Sequence, residues 1–275
     1  MDLNTIETVI RPRDRADLPD WRGGDVCLAG GTWLFSEPQP GMRRLVDLTA
    51  LGWAPYAITP EGLTLAATCT IAQFDRLELP PDWIAAPLVG QCCRALLGSF
   101  KVWNVATVGG NLCMALPAGP MIALAAALEA ICTIWAPDGS ERRLPVTEFV
   151  LGPQQNALRP GEILRSLAFP ASALTRRTAF RRISLSPNGR SGALLIGTRD
   201  SAGALTITVT ASIRRPLRVA FAAVPGRDAL KRALAETIPD ELYYDDVHGA
   251  PDWRRHMTQH LAGEIRDALA DGAPA

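Results

Sequence analysis

Two short glycine-containing segments have the clearest capacity for chemistry in this chain of 275 residues. They read LAGGTW at residues 28–33 and TVGGNL at residues 107–112, and each follows an apolar stretch. Glycine adopts positive φ and has no Cβ, so successive backbone N–H groups can converge on an anion such as a pyrophosphate. Thr32, Thr107 and Asn111 add uncharged side-chain donors. Taken singly, each pair is weak evidence, because most Gly-Gly pairs simply form turns.

Other signatures of catalysis are missing from the sequence. It has no G-x-G-x-x-G after a strand, no G-x-x-x-x-G-K-[ST], no G-x-S-x-G and no cysteine with a credible histidine partner. His256 and His260 stand four apart on a predicted helix, where a solvated face is the favoured interpretation. The cysteines form no C-x-x-C pair, and we interpret all six as small buried hydrophobic residues rather than metal ligands: Cys27, Cys69, Cys92, Cys93, Cys113 and Cys132.

The composition is that of a folded soluble protein. Hydrophobic residues make up 48% and charged residues 20%, and 28 Lys plus Arg balance 28 Asp plus Glu. No net field therefore favours nucleic acid or an anionic surface. The longest apolar run, MIALAAALEAICTIW, contains a glutamate and is too short to span a bilayer. The first residues lack a secretory pattern, so we expect a cytoplasmic protein.

Apolar periodicity predicts alternating strands and helices up to about residue 170. Thr70 is the expected cap of a helix that extends to about residue 77, and Pro120 suits the first position of another helix. A longer helix is predicted over residues 83–97. Strands are predicted at residues 26–29, 45–48, 63–67, 131–135, 142–146 and 163–169, with the fourth and fifth forming a hairpin.

The pattern changes near residue 171, where we predict a domain boundary. Strands are expected at residues 179–184, 192–198 and 205–212, followed by helices at residues 228–237 and 251–270. Strands followed by helices indicate a small α+β domain with a three-stranded antiparallel sheet.

Taken together, the motifs resemble those of the flavoprotein subunits of the molybdenum hydroxylase family, which includes the medium subunit of carbon monoxide dehydrogenase and the flavin domain of xanthine dehydrogenase. Members commonly read AGGT or AGGHS, LVDL, TIAE and TIGGNLA-x-ASPA-x-D. This chain reads AGGT, LVDL, TIAQ and TVGGNLCMALPAGP. GEILRSLAFP is similar to the family's DEIL-x-x-I-x-IP, and FRRISLSPNGRSGALL and DVHGAPDWRRHM resemble its C-terminal segments. The resemblance spans nearly the whole chain.

The resemblance implies an α+β fold with FAD in a cleft. Residues 1–170 would form a two-subdomain FAD-binding domain of the vanillyl-alcohol-oxidase (PCMH) type, divided at about residues 1–52 and 53–170. Residues 171–275 would form a C-terminal domain like that of the carbon monoxide dehydrogenase flavoprotein. Residues carried over as FAD ligands, largely through backbone amides, are Ala29, Gly30, Gly31, Thr32, Trp33, Thr107, Val108, Gly109, Gly110 and Asn111.

Four further positions are assigned by the resemblance. Leu164 or Ile163 would pack against the isoalloxazine, and Leu97 occupies a position where relatives have an aromatic residue near the cofactor. Plain core packing is an equally open interpretation of these three. Arg181 matches a basic position in some relatives. No side chain is predicted to be catalytic, and no metal site is predicted.

The implied function is electron relay. In the family, substrate is oxidised at a molybdopterin centre on a large subunit, and electrons pass through two [2Fe–2S] clusters on a small subunit to FAD and then to an external acceptor. Those two subunits in a dimer of heterotrimers, and a soluble acceptor, are the expected partners. Two alternatives stay open: a free-standing flavin reductase or oxidase, and a flavin-free structural subunit. Pro120 in place of the usual Asp, and Trp33 in place of a small or polar residue, motivate the second alternative.

Overall fold

A small parallel sheet carries the first glycine segment. The structure is a computed structural model and describes residues 3–270. The sheet has the order β1-β3-β2, and both strand pairs are parallel. Its strands are β1 (Thr8–Ile10), β2 (Asp25–Leu28) and β3 (Arg44–Asp47), and a 3-10 helix over Leu48–Leu51 follows. Because parallel strands end at one edge, residues 29–33 leave β2 beside the end of β3, where α/β sheets commonly bind ligands.

The second sheet is antiparallel and has the order β4-β5-β10-β6-β7. The predicted hairpin is confirmed as β6 paired with β7, and a two-stranded ribbon lies between β7 and β10. The strands are β4 (Tyr56–Thr59), β5 (Gly62–Ala66), β6 (Ile131–Trp135), β7 (Glu141–Pro145), the ribbon strands β8 (Val150–Gly152) and β9 (Gln155–Asn156), and β10 (Ile163–Pro170).

Helices between these strands begin at the predicted signals. Thr70 forms a capping box with Gln73 at the start of the first helix, and Pro120 is the first residue of the fifth. The long predicted helix exists but is shorter than residues 83–97. The helices are α1 (Ile71–Asp75), α2 (Ala86–Ala95), α3 (Phe100–Trp103), α4 (Val108–Met114), α5 (Pro120–Ala127) and α6 (Val146–Phe149).

The second glycine segment is part of helix α4 rather than the predicted turn. Two glycines lower helix propensity by roughly 1 kcal/mol each relative to alanine. The Thr107 side chain offsets this cost, because it accepts a hydrogen bond from the backbone of Gly110 and so caps the helix. Met114 ends the helix, and Ala115 follows in the left-handed conformation at φ 49°.

The third sheet has four strands rather than the predicted three, in the order β11-β12-β13-β14. The missed strand is β14, which lies at the sheet edge with an interrupted apolar pattern. The C-terminal elements are α7 (Ala171–Leu174), β11 (Arg177–Ile183), β12 (Ala193–Arg199), β13 (Leu205–Thr210), β14 (Leu217–Phe221), α8 (Arg227–Thr237), a 3-10 helix over Asp240–Leu242 and α9 (Pro251–Ala270).

Helix α5 joins the second sheet to the third. All of its residues are buried, and its sequence PMIALAAA is apolar on every side. A helix without a polar face must be covered all round. The main hydrophobic core accordingly contains α5 and extends to Leu194, Ile196 and Ala211 of the C-terminal region. The division near residue 171 stays a prediction, since this core crosses it. Within residues 3–270, no helix is long and apolar enough to cross a bilayer.

Candidate functional site

The two glycine segments lie against each other although they are far apart in the sequence. A Cβ at Gly30 would lie 1.8 Å from the carbonyl oxygen of Val105, two residues before the second segment. Only glycine permits so close an approach of two backbones. The contact brings residues 29–33 at the end of β2 next to the start of α4.

The first segment has backbone N–H groups without internal partners. Gly31 has φ +68°, and the carbonyl oxygens of Gly31 and Trp33 accept hydrogen bonds of 2.9 Å from the amides of Phe35 and Ser36. The N–H groups of residues 30–34 have no acceptor among residues 3–270. Thr32 is exposed, and Ala29 and Trp33 are half-buried. Successive unpaired N–H groups in a turn form an anion-binding concavity, so this segment has the donors that a pyrophosphate needs.

The second segment uses its backbone amides inside the protein. All four N–H groups of residues 108–111 donate at 2.9–3.0 Å, to the carbonyl oxygens of Cys69, Ala67 and Thr107 and to the Thr107 hydroxyl oxygen. Cofactor binding through the backbone of this segment stays a prediction, and the amides of residues 108–111 are already occupied within the protein. The turn after β5 and the helix cap fill the acceptor positions that a ligand would otherwise occupy.

Side chains in the second segment have separate tasks. Thr107 is only 4% exposed and serves as the cap of α4. Val108 is 1% exposed and belongs to the main core. The Asn111 Oδ1 atom accepts a hydrogen bond of 3.1 Å from the Met121 amide and so caps α5. Its Nδ2 donors have no acceptor among the described residues, and Asn111 is half-buried, so Nδ2 is the donor that this segment can offer.

The adjacent glycines of the second segment differ in their surroundings. A Cβ at Gly109 would lie 2.4 Å from the Ala67 Cβ and 2.6 Å from its carbonyl oxygen, so this glycine is required for packing. A Cβ at Gly110 would meet only the Thr107 hydroxyl oxygen, at 2.9 Å. Gly110 therefore presents an open side that a ligand can approach closely, and together with the free amides of residues 30–34 it fits an extended phosphate-containing cofactor.

A family comparison identifies that cofactor. Residues 9–172, more than half of the chain, match the family described as the FAD binding domain in molybdopterin dehydrogenase. The chain belongs to this family. Both glycine segments lie within the matched range, and the predictions of an FAD cofactor and of an oxidoreductase protein are confirmed at the level of the family.

Relatives of known activity agree with the family assignment. Xanthine dehydrogenase from Oryza sativa subsp. japonica is 36% identical over 84 residues, which are 28% of this chain and 6% of that protein. The chain thus spans only a small part of the length of this curated relative.

Solved structures confirm the fold over nearly the full chain. The chain superposes with a TM-score of 0.80 on carbon monoxide dehydrogenase from Oligotropha carboxidovorans, at 21% identity with 98% of this chain and 100% of that one covered. It superposes with a TM-score of 0.76 on quinoline 2-oxidoreductase from Pseudomonas putida 86, at 21% identity with both chains fully covered. The predicted FAD-subunit fold is therefore confirmed.

Leu164 and Ile163 are core residues rather than exposed cofactor contacts. Leu164 lies opposite Ile134 in the second sheet, is 2% exposed and belongs to the main core. Ile163 is also 2% exposed and packs in the small cluster with Val46 and residues of the 3-10 helix. Core packing, the alternative interpretation, is what the structure has at both positions. Leu97 is 42% exposed and remains accessible.

Arg181 points away from the cleft. In β11, Phe180 packs against the main core, so its neighbour faces the opposite side of the third sheet. There the Arg181 Nε donates to Glu264 Oε2 of α9 at 2.8 Å. The structure does not bring Arg181 to the glycine segments, and its assignment as a cofactor ligand is not supported.

Sequence reasoning missed two parts of the site. Leu34 belongs to the run of free amides but follows the predicted range. Val105 is 46% exposed and carries the carbonyl group that meets Gly30. Neither is marked by a motif, since both act through the backbone. The one sequence signal for both residues is that they lie within a few positions of a glycine pair.

One cysteine lies close in sequence to each segment. Cys27 lies at the end of β2 and Cys113 in α4, and burial raises the pKa of the Cys27 thiol to about 12 and that of Cys113 still further. Both thiols are therefore protonated at neutral pH. The interpretation of the cysteines as small apolar residues is confirmed for the four that are fully buried: Cys69, Cys92, Cys93 and Cys132.

Proposed function

We propose that this chain is the FAD-containing electron-transfer subunit of a molybdopterin-dependent hydroxylase or dehydrogenase. It takes electrons from [2Fe–2S] clusters on a small partner subunit and passes them to a soluble acceptor. The observation that carries the proposal is the run of free N–H groups at residues 30–34, at the end of β2 in a domain of an FAD-binding family. When bound, FAD supplies the redox chemistry, and the protein supplies position and surroundings.

Each segment has its own part in holding the cofactor. The N–H groups of residues 30–34 would donate to the pyrophosphate, and Asn111 Nδ2 would add a donor from α4. Gly110 leaves room for close approach, and the contact between Gly30 and Val105 sets the separation of the two segments. None of these groups is an acid or a base in the neutral range. This agrees with a subunit that positions a cofactor and leaves substrate chemistry to another chain.

The proposed partners are a molybdopterin-binding large subunit and a [2Fe–2S] small subunit, in a dimer of heterotrimers. Carbon monoxide dehydrogenase from Hydrogenophaga pseudoflava, a relative with a TM-score of 0.77 at 21% identity, is described as lacking the Mo-pyranopterin moiety of its molybdenum cofactor. We place such a cofactor on the large partner subunit, because the matched residues of the present chain belong to an FAD-binding domain.

A flavin-free structural subunit is the second candidate. Two observations favour it: the backbone donors of residues 108–111 are all occupied, and the bulky Trp33 lies within the first segment. A free-standing flavin reductase or oxidase has no comparable support, because neither segment carries an acid or base for substrate chemistry.

The first test measures cofactor content. A visible absorption spectrum of the gently purified chain, followed by identification of the nucleotide that heat releases, is expected to reveal FAD. A colourless protein that does not bind added FAD, alone or with its partners, would favour the structural subunit.

The second test is the substitution Gly110→Val, which fills the open side of α4. We expect loss of FAD binding with the fold retained, measured by fluorescence titration and urea unfolding. The matched control is Gly263→Val, also a helical glycine, with no atom within 4 Å of its Cβ position. FAD binding that survives in the Gly110 variant would contradict the assigned site.

A further inference from the structure

Arg254 is the largest completely buried side chain among residues 3–270. It lies in the first turns of α9 and is 1% exposed. Its Nε donates to the Gly249 carbonyl oxygen at 2.8 Å, its Nη2 to Asp246 Oδ1 and its Nη1 to the Ala211 carbonyl oxygen. Burying a guanidinium is costly unless its donors are satisfied, so such a network indicates a definite task. The C-terminal motif DVHGAPDWRRHM supplies three of these four residues.

Ala211 connects this network to the FAD-binding domain. It follows β13 in the left-handed conformation, at φ 64°, which residues with a Cβ rarely adopt. Its carbonyl oxygen accepts from Arg254, and its amide donates to the Pro117 carbonyl oxygen at 2.8 Å. The peptide groups of one fully buried residue therefore join α9 to the turn between α4 and α5.

This turn determines how the second glycine segment is held. Residues 115–119 connect α4 with α5, and Asn111 of α4 bonds to Met121 of α5 across the turn. Asn156 Nδ2 also holds α4, by a 2.7 Å hydrogen bond to the Cys113 carbonyl oxygen. A displacement at Pro117 would therefore move the Asn111 amide group and the open side of Gly110.

We propose that Arg254 is a positioning residue for the FAD site, acting through Ala211 and Pro117 on helix α4. This inference rests on the proposed function, because it assigns Arg254 to the site that would hold FAD. This role would connect the C-terminal region to cofactor binding, although α5 lies between the third sheet and the second. We expect loss of Arg254 to weaken FAD binding even under conditions where the variant remains folded.

The experiment compares Arg254→Met with Arg199→Met. The control residue also anchors α9, through a 2.7 Å hydrogen bond from Nη1 to the Leu269 carbonyl oxygen, but at the opposite end of the helix. FAD dissociation constants are measured by flavin fluorescence at a temperature where both variants are folded. We expect an increase of about tenfold or more for Arg254→Met and less than about twofold for Arg199→Met, as for a typical coupling between sites.

A second measurement is independent of the cofactor. Amide hydrogen exchange of the flavin-free protein is expected to accelerate over residues 107–121 in Arg254→Met and to stay unchanged there in Arg199→Met. Arg254→Lys, which keeps the charge near Asp246 but not the forked geometry, should give an intermediate result and serves if the Met variant does not fold.

The outcomes separate the two proposals. Wild-type protein that fails to bind FAD contradicts the proposed function, while faster exchange over residues 107–121 would still support the link from Arg254 to α4. Wild-type protein that binds FAD, with an Arg254 variant that binds equally well and exchanges equally slowly, overturns the positioning role.

Discussion

The two glycine segments have nearly the same sequence pattern but opposite hydrogen bonding. Residues 30–34 follow a parallel strand, continue into a turn and leave their N–H groups free. Residues 108–111 enter a helix, and every N–H group has an acceptor within the protein. The glycines also differ in use, since Gly30 and Gly109 allow backbones to pack closely while Gly110 leaves a side open. A glycine pair after an apolar stretch therefore indicates close approach, but not whether a ligand or the protein itself approaches.

The largest expected effect is on the stability of a variant at Gly30, where the two segments pack against each other. Gly30→Ala would place its Cβ 1.8 Å from the Val105 carbonyl oxygen, so the two segments must move apart. We expect the free energy of unfolding to fall by about 3 kcal/mol, the upper part of the usual range for overpacking. Urea unfolding measures this, with Gly23→Ala as the control because no atom lies within 4 Å of its Cβ position. Equal stability of the two variants would mean that the segments are not in contact.

The next prediction divides the two tasks of Asn111. In Asn111→Asp, a carboxylate oxygen can still accept from the Met121 amide, but the Nδ2 donors are lost and a negative charge faces the phosphates. We expect FAD to bind about tenfold more weakly or worse, with the free energy of unfolding changed by less than about 0.5 kcal/mol. Fluorescence titration and urea unfolding measure the two quantities.

Asn111→Ala is the matched variant for that comparison. It removes the cap of α5 as well, so we expect it to lower the free energy of unfolding by about 1 kcal/mol. Should Asn111→Asp bind FAD as the wild type does, the second segment would contribute space but no donor.

A smaller effect is expected at Gly31 in the first segment. Its φ of +68° is costly for any residue with a Cβ, and the Phe35 ring would have to move from the new methyl group. We expect Gly31→Ala to lower the free energy of unfolding by roughly 1–2 kcal/mol and to weaken FAD binding, because the free amides change direction. Gly41→Ala, whose Cβ position is open, is the control. Unchanged FAD affinity would show that the direction of these amides is not essential.

Local signals predicted most elements correctly, and tertiary contacts account for the errors. Thr70 with Gln73 and Pro120 mark helix starts because capping depends on neighbours in sequence. The amides of Val108 and Gly109 donate to residues about forty positions earlier, which no local pattern reveals. Strand β14 lies at an edge, where burial does not impose clear alternation.

Single side chains are harder to assign from the sequence for a related reason. An apolar residue beside a cofactor and one in the core have the same pattern, so the sequence left Leu164 undecided. The side of β11 that Arg181 faces depends on where α9 packs, which is fixed only in the folded chain. The glycine motifs report a backbone requirement, which the residue type alone indicates.

The smallest expected effect concerns Glu129, just after the C-terminal end of α5. Helix α5 is bonded to the second segment through Asn111 and Met121. Glu129 accepts hydrogen bonds from Arg176 at 2.8 and 3.1 Å and from Arg218 of β14, and these two guanidinium groups hold the pKa of its carboxyl below the ordinary value of 4.5. A lowered pKa in the folded state means that the unfolded chain takes up the proton first. The stabilisation is therefore complete above the ordinary pKa and is lost as the pH falls through the folded one.

The measurement is the difference in free energy of unfolding between wild type and Glu129→Gln. We expect this difference to be constant from pH 7 to about pH 5 and to shrink below about pH 4.5, where Glu129 of the unfolded wild type takes up its proton before the folded state does. Taking the difference removes the contributions of other carboxylates, such as Glu162, whose pKa Arg142 also lowers. Asp240→Asn, which breaks an exposed ion pair with Arg255, should cause almost no change at any pH. A difference that does not depend on pH would mean that Glu129 supports α5 by its shape rather than by its charge.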